Sequence, residues 1–407
     1  MRILFITNIF PNPIQPTKGV FNRDLARALA RDHEIRVVSP VSWVDEWLAA
    51  RHGGSRLGHP RSASVDGVEV HYPRYFYPPK VLRETYGWFL WRSVGGLVRR
   101  LLAAHPPDAV LGYWAHPDGA VAVRAARHAG VPSVVMVGGS DVLLLTRDRG
   151  RRRQILSVLH GTDAAVAVSQ DLATKLVEFG IAPAKVHLIR RGIDRERFSP
   201  GNRAEARRRL EIPAKGGVLL WVGRMVPVKG LDVLLRAVRR LKDRGAAFHL
   251  YLVGDGPLRA ELEAQAAALG VSGDVSFVGG VDHDRLPDWY RAADLTVLPS
   301  RSEGVPNVLR ESLACGTPFV ASRVGGVHEL AGGDRDGLVE PEDPAALAAA
   351  LERALSDAGP ARIPTSPSAD LADAVAPLTR LFRDLTAGTA GRPPVEEPDL
   401  RETVRPA

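Results

Sequence analysis

The sequence predicts an α/β protein built as two doubly wound domains, each a parallel sheet covered by helices on both faces. Three observations carry this. Short β-branched or apolar runs alternate with longer helical patterns from end to end. Several of those runs are apolar at every position, as strands buried on both faces require. And the 407 residues, 45% of them hydrophobic, exceed one typical domain and suffice for two cores.

Strands are expected at Ile3 to Thr7, Ile35 to Ser39, Val68 to Tyr72, Ala109 to Gly112, Ser133 to Val137, Ala164 to Val168 and Val186 to Ile189. A second series follows at Gly217 to Val222, Phe248 to Val253, Val275 to Val278, Leu295 to Leu298 and Phe319 to Ala321. Between the series, Arg195 to Lys215 is polar and arginine-rich and carries Pro200, Gly201 and Pro213, which places a domain boundary near residue 200. The expected division is 1–199, completed by a C-terminal helix at 370–387 with Asp370 as its N-cap, then 200–369, and a disordered tail at 388–407. Doubly wound domains bind ligands at the carboxyl ends of their strands, so two of them suggest a central cleft.

Charged residues make up 25% of the chain, an ordinary share that excludes wholesale disorder. No run reaches the roughly 18 to 20 apolar residues of a membrane-spanning helix. The stretch Ile3 to Phe10 reads as a first buried strand and not a signal peptide. One cysteine, Cys315, permits neither an intrachain disulfide nor a cysteine-cluster metal site and suits a reducing cytoplasm. The net charge of +8 raises the question of an anionic partner without deciding it.

The densest chemical signal is Ser300-Arg-Ser-Glu303-Gly304-Val-Pro-Asn307-Val308-Leu-Arg-Glu311, between two expected strands. On a helix starting near Asn307, residues 307 and 311 share a face. The helix N-terminus offers free amides to a diphosphate, and Glu303 lies on the loop leading into it. Two solvated glutamates on an ordinary helix is the plainer alternative. A second signal, Gly223-Arg224-Met-Val-Pro-Val-Lys229-Gly230, follows the first strand of the second series and puts two cations on one loop, which suits phosphate binding without a metal. A third, Pro16-Thr-Lys-Gly19-Val-Phe21, follows the very first strand and is weak alone.

Together these motifs resemble the retaining GT-B glycosyltransferases of family 4. Glu303 and Glu311 match its E-x7-E motif, Arg224 and Lys229 its phosphate-binding pair, and Gly19 its N-terminal glycine loop. Arg191 to Asp194 through Phe198, Val253 to Pro257, Val275 to Gly279 and Gly325 to Glu329 match further segments, so that the likeness spans roughly residues 1 to 355. The resemblance implies a nucleoside diphosphate sugar as co-substrate and no cofactor or metal. It implies that Arg224 and Lys229 hold the diphosphate with backbone at Gly19, Gly304, Asn307 and Val308. Glu311 would bind the ribose, the segment Phe277 to Val281, which includes Val278, would frame the base, and Glu303 would act as the catalytic carboxylate at the anomeric centre. The acceptor would be a sugar or lipid-linked hydroxyl.

One position departs from the family. An H-G-S-D type segment carries a sugar-contacting histidine in many members, whereas here Val137-Gly138-Gly139-Ser140-Asp141 has glycine in its place. His116 and Asp141 are candidates for acceptor or sugar contacts; the plainer alternative is that His116 and Asp118 shape a turn. The basic, aromatic stretch Tyr72 to Leu102 carries a helical stripe, Leu82, Tyr86, Leu90, Val94, Leu97 or Val98, and Leu101, that fits either an anionic membrane surface or the protein's own core. The triplets Asp282-His283-Asp284 and Asp334-Arg335-Asp336 read as turn or capping chemistry. A dinucleotide oxidoreductase lacks its G-x-G-x-x-G fingerprint here, and a P-loop ATPase its G-x4-G-K-[ST]. A GT-B nucleotide-sugar epimerase and a non-catalytic nucleotide-sugar-binding scaffold are the alternatives to a transferase. Nucleic acid is not an expected partner, and the expected location is cytoplasmic, at or near the inner face of the membrane.

Overall fold

The computed structural model describes residues 1–51, 60–213, 216–331, 337–356, 370–389 and 393. Its contacts divide the chain into two units, one of Met1–Arg190 with the C-terminal segment from Ala372, the other of Arg191–Leu371. The boundary therefore lies at residue 190, not near 200. The segment after Arg190 is polar in appearance, but Ile193 and Phe198 are buried with Trp289 and Tyr290 in the second unit.

In the first unit the strands in chain order are β1 (Arg2–Ile6), β2 (Glu34–Val38), β3 (Val41–Ser42), β4 (Ser62–Val65), β5 (Val68–His71), β6 (Arg74–Tyr75), β7 (Ala109–Tyr113), β8 (Ser133–Val137), β9 (Ala164–Ala167) and β10 (Val186–Leu188). Eight of them form one sheet in the order β10-β9-β8-β7-β1-β2-β5-β4, parallel except for the β4–β5 pair. Strand β1 pairs with β2 on one side and β7 on the other, so the winding reverses between β1 and β7. That is the point at which open α/β sheets leave a crevice. The C-terminal helix Leu371–Thr389 runs through the start of the expected tail and is tied to this unit by His33, whose Nε2 lies 3.0 Å from the Thr379 hydroxyl. Most of the remaining tail, and Asp334-Arg335-Asp336, lie outside the described residues.

The helical stripe of residues 82–102 belongs to the core. The helix spans Tyr86–Ala104, and Leu90, Val94, Val98 and Leu102 pack on Val110, Val121 and Ala125. Leu82 precedes the helix and is exposed.

The second unit has β11 (Gly217–Val222), β12 (Phe248–Val253), β13 (Val275–Gly279), β14 (Leu295–Leu298), β15 (Phe319–Ser322) and β16 (Leu338–Val339), all parallel, in the order β13-β12-β11-β14-β15-β16. Here the winding reverses between β11 and β14, the two strands whose following loops carry Lys229 and Glu303. Helices Leu231–Asp243 and Pro344–Ser356 cover one face with Leu234, Val238, Leu347 and Leu351, while helix Leu286–Ala292 covers the other with Trp289 and Tyr290.

Candidate functional site

In the second unit the structure brings the two densest sequence signals together. Lys229 ends a short 3-10 turn, Pro227–Lys229, after β11. Glu303 lies in the loop after β14. The Lys229 ammonium is 2.6 Å from Glu303 Oε1, which also accepts from the Ser300 hydroxyl at 2.7 Å. The two loops are pinned to one another by Arg301: its backbone amide donates to the Val228 carbonyl at 2.8 Å, and its guanidinium binds the Pro227 carbonyl, Asp232 and Glu342. Arg301 is invisible to motif reasoning because an arginine in a polar loop looks like any solvated cation.

A third segment supports Glu303 from behind. Gly325, at φ 48°, lies so close that a Cβ there would stand 1.9 Å from the Glu303 carbonyl oxygen, and the next amide, of Gly326, donates to the Gly304 carbonyl at 2.8 Å. Only glycine permits that approach. Arg224 is exposed on the loop after β11, with the adjacent Met225 amide bonded to the Asp255 carbonyl at 2.8 Å.

The helix after Glu303 spans Asn307–Ala314, so Asn307 and Val308 supply its first amides, which have no acceptor within the helix. It is fastened to the sheet by Ser312, whose hydroxyl lies 2.7 Å from that of Thr296 in β14 and donates to the Thr317 carbonyl at 2.8 Å. Glu311 faces inward and is 8% exposed. Its Oε2 accepts from the buried Tyr290 hydroxyl at 2.7 Å, and its Oε1 stands 3.5 Å from His283 Nε2. Burial and the neighbouring carboxylate push the Tyr290 phenol far up, so it stays a donor. Val278 is partly buried at the end of the same core. Cys315, one turn beyond Glu311, is buried, and burial pushes its thiol up to about 12, so it is an inert packing residue. Of the triplet at 282–284, His283 turns to Glu311 and Asp284 pairs with Arg197 at 3.1 Å. Among the described residues no three His, Cys, Asp or Glu side chains are grouped as a metal ion would need.

The first unit uses its candidates differently. Gly19 is left-handed at φ 64°, where a Cβ would stand 2.3 Å from the Ile9 carbonyl oxygen; it closes the loop after β1 on itself. Asp141 is fully buried, and its carboxylate accepts from the amides of Ala115 (3.1 Å), Gly138 (3.0 Å) and Gly139 (2.9 Å). Burial raises its pKa while those amides oppose the rise. Asp141 thus knits the loops after β7 and β8 and has no exposed surface for an acceptor or sugar. His116 is likewise internal at 3% exposed, with Nε2 accepting from the Gly87 amide at 3.1 Å. Burial, then Arg151, lowers it to about 4, leaving a neutral acceptor that receives the start of the 86–104 helix. Gly138 also has a packing reason: a Cβ there would meet the Tyr113 hydroxyl at 2.3 Å.

A family model described as Glycosyl transferases group 1 matches residues 216–357, and one described as Glycosyltransferase Family 4 matches residues 19–197. Between them the two models match the greater part of the chain, one mainly in each unit. The chain is 36% identical over 256 residues to D-inositol 3-phosphate glycosyltransferase 1 of Catenulispora acidiphila, a match covering 58% of the chain and 61% of that relative. It is 29% identical over 369 residues to the putative teichuronic acid biosynthesis glycosyltransferase TuaC of Bacillus subtilis, covering 87% and 89%. The chain thus spans less than two thirds of the first relative's length and most of the second's. Sucrose-phosphate synthase from Thermosynechococcus elongatus superposes with a TM-score of 0.79 at 22% identity over 95% of this chain and 99% of that one, a likeness of fold, which is GT-B.

Proposed function

We propose that the protein moves a glycosyl group from a nucleoside diphosphate sugar to an acceptor hydroxyl, with retention and without an obligatory divalent metal, in polysaccharide, glycolipid or glycoconjugate synthesis. The observation that carries this reading is the meeting of Lys229 and Glu303 beside the winding reversal of the second sheet. A cation and a carboxylate placed there, with exposed Arg224 on one loop and the amides of Asn307 and Val308 on the other, suit a diphosphate that leaves a sugar. Arg224 and Lys229 take the diphosphate charge that a metal would otherwise neutralise. Glu311 accepts from the ribose hydroxyls, and Phe277 to Val281 frame the base. Glu303 faces the anomeric carbon and stabilises the positive charge that develops as the diphosphate departs.

Relatives are named for D-inositol 3-phosphate and for teichuronic acid biosynthesis, which makes a phosphorylated polyol and a growing polysaccharide the first acceptors to test. A panel of labelled UDP-, GDP- and ADP-sugars, assayed for transfer and for slow hydrolysis, decides the reading. Turnover with the anomeric configuration kept, and unchanged by EDTA, is expected. A chain that binds every donor and turns over none is a scaffold. Activity abolished by EDTA and restored by Mn²⁺ or Mg²⁺ overturns the metal-independent part.

The reading includes a cytoplasmic place at an anionic membrane, for which the first unit offers a surface. Phe76, Val81 and Leu82 are each more than half exposed, and Trp88 is exposed nearby on the helix whose Ser93 hydroxyl accepts from the Phe76 amide at 3.0 Å. Lys80, Arg83, Arg92, Arg99 and Arg100 are exposed around them, while the single acidic residue from 76 to 100, Glu84, is partly buried. Apolar side chains with exposed cations around them suit a headgroup boundary of negative charge. Among the described residues no helix is long and apolar enough to cross a membrane.

A further inference from the structure

Glu311 stands in a chain of contacts that no sequence motif announces. Arg197 Nη1 lies 2.9 Å from His283 Nδ1, and its Nε is 3.1 Å from Asp284. Arginine is only a donor, so Nδ1 accepts and the imidazole proton sits on Nε2. That nitrogen is the one 3.5 Å from Glu311 Oε1. The ring is held in place by Phe198, edge-on at 5.2 Å, and Phe198 is itself buried against Tyr290 at 6.1 Å. Arg197 in turn is fixed at its backbone, where its amide donates to Asp194 Oδ1 at 3.1 Å. One carboxylate therefore has a different donor aimed at each oxygen, the Tyr290 hydroxyl at Oε2 and the His283 imidazole at Oε1.

We infer that His283, locked in its Nε2–H tautomer by Arg197, is a positioning residue that sets the orientation of the Glu311 carboxylate toward the ribose hydroxyls of the donor. The inference rests on the donor-site reading above, in which Glu311 meets the ribose. A carboxylate free to rotate about its last torsion presents its lone pairs to two hydroxyls only part of the time. One held at both oxygens presents them before the ligand arrives, and the gain appears in affinity. The contact at 3.5 Å is longer than a hydrogen bond and closes to one when the ribose draws Glu311 into place. Arg197 acts only through the ring: without it, Nδ1 loses its donor and the proton is free to move to that nitrogen, leaving a lone pair facing Glu311.

The test compares two probes on each variant: whichever of UDP, GDP and ADP binds best, and its 2′,3′-dideoxy counterpart, by calorimetry. Wild type should favour the ribose form. In His283→Ala, affinity for the ribose form should fall about 3- to 10-fold while affinity for the dideoxy form stays level. His283→Gln, which keeps an N–H near the Nε2 position, should recover part of the preference, and Arg197→Leu should lose it as His283→Ala does. In turnover, KM for the donor should rise with kcat held within about two-fold. Because the comparison is made within each variant, a general loss of folded protein moves both probes together and does not imitate the result. If wild type shows no preference for the ribose form, the assignment of Glu311 to the ribose fails. If wild type shows it and His283→Ala keeps it whole, the positioning role is wrong and the donor site stands.

Discussion

Lys229 and Glu303 occupy each other: the Lys229 ammonium lies 2.6 Å from Glu303 Oε1, so the cation proposed for the diphosphate and the carboxylate proposed for the sugar are partners before any ligand binds. Both are partly buried, at 24% and 10% of side-chain exposure, so the contact is screened less than a surface pair. A bound diphosphate competes for Lys229 with an acceptor of higher charge, and the Ser300 hydroxyl keeps Glu303 partnered when the lysine turns away. Lys229→Ala is therefore expected to weaken nucleoside diphosphate binding by about 10- to 100-fold and also to lower stability by about 1 kcal/mol, since it leaves a carboxylate short of a donor. Arg224→Ala, at an exposed position, should weaken binding without moving the melting temperature. Calorimetry and thermal unfolding on both variants separate the two; equal effects on stability would contradict the geometry.

Asp118 gives a pH signature. It opens the helix Asp118–Ala129 and is fully buried, with the Asn8 amide near its carboxylate but neither oxygen in a well-formed hydrogen bond. Burial pushes it up to about 8, against the opposing pull of the Asn8 amide and Lys18. The folded chain then binds more protons than the unfolded one from pH about 4 to 8, so stability falls as pH rises through that window. His116, lowered to about 4, works in the other direction below its ordinary value of 6.5 and leaves Asp118 unopposed above it. Asp118→Asn should flatten the decline between pH 6.5 and 8 and raise stability at pH 8. A decline of unchanged slope in the variant would mean that Asp118 is ionised and paired in solution.

The sheets were legible because apolar runs such as Ser133–Val137 declare strands buried on both faces, and the loops carrying Lys229 and Glu303 because their charged residues stand at fixed spacing after strands. Strand β4 was missed although its signal is local: Asp66-Gly67, both at positive φ, form a two-residue hairpin turn between Val65 and Val68. Ser62–Val65 is half polar because it is an edge strand, and its alternation is too short to stand out. The unit boundary was misplaced for a related reason, since Ile193 and Phe198 are isolated apolar residues among charges. Arg301, His283 and Tyr290 were illegible as site residues because their partners lie on other loops. The placement of His116 and Asp141 was equally hidden, as loop motifs do not reveal which backbone amides will need an acceptor.

The proposed membrane contact is testable apart from the chemistry. The protein should co-sediment with vesicles containing phosphatidylglycerol, less with pure phosphatidylcholine, and less again at high salt. Phe76→Ser with Leu82→Ser should cut binding several-fold and leave turnover of a soluble acceptor intact. Replacing buried Leu90 or Val94 would instead unfold the first unit, because those residues face Val121 and Ala125. Absence of binding to anionic vesicles at any salt would assign the exposed patch to another partner.

Glu303→Gln is expected to abolish transfer while leaving nucleoside diphosphate affinity within a few-fold of wild type. The neutral isostere still accepts from Ser300 and Lys229, so the loop that Gly325 and Gly326 brace keeps its shape. Glu311, eight residues on and turned toward Tyr290 and His283, addresses a different part of the donor, so nucleotide binding does not depend on the charge at 303. What the substitution removes is a negative charge beside the position where departure of the diphosphate builds positive charge at the anomeric carbon. That interaction is stronger in the transition state than in the ground state, so its loss falls on kcat, and a reduction of at least 100-fold is expected. Removing the negative charge also relieves Lys229 of its counter-ion, which should tighten, not weaken, its hold on a diphosphate. Calorimetry of the nucleoside diphosphate alongside a transfer assay checks both halves. Near-normal turnover would make Glu303 a structural partner of Lys229 alone, and nucleotide affinity lost in step with turnover would assign it to donor binding or to the integrity of the loop.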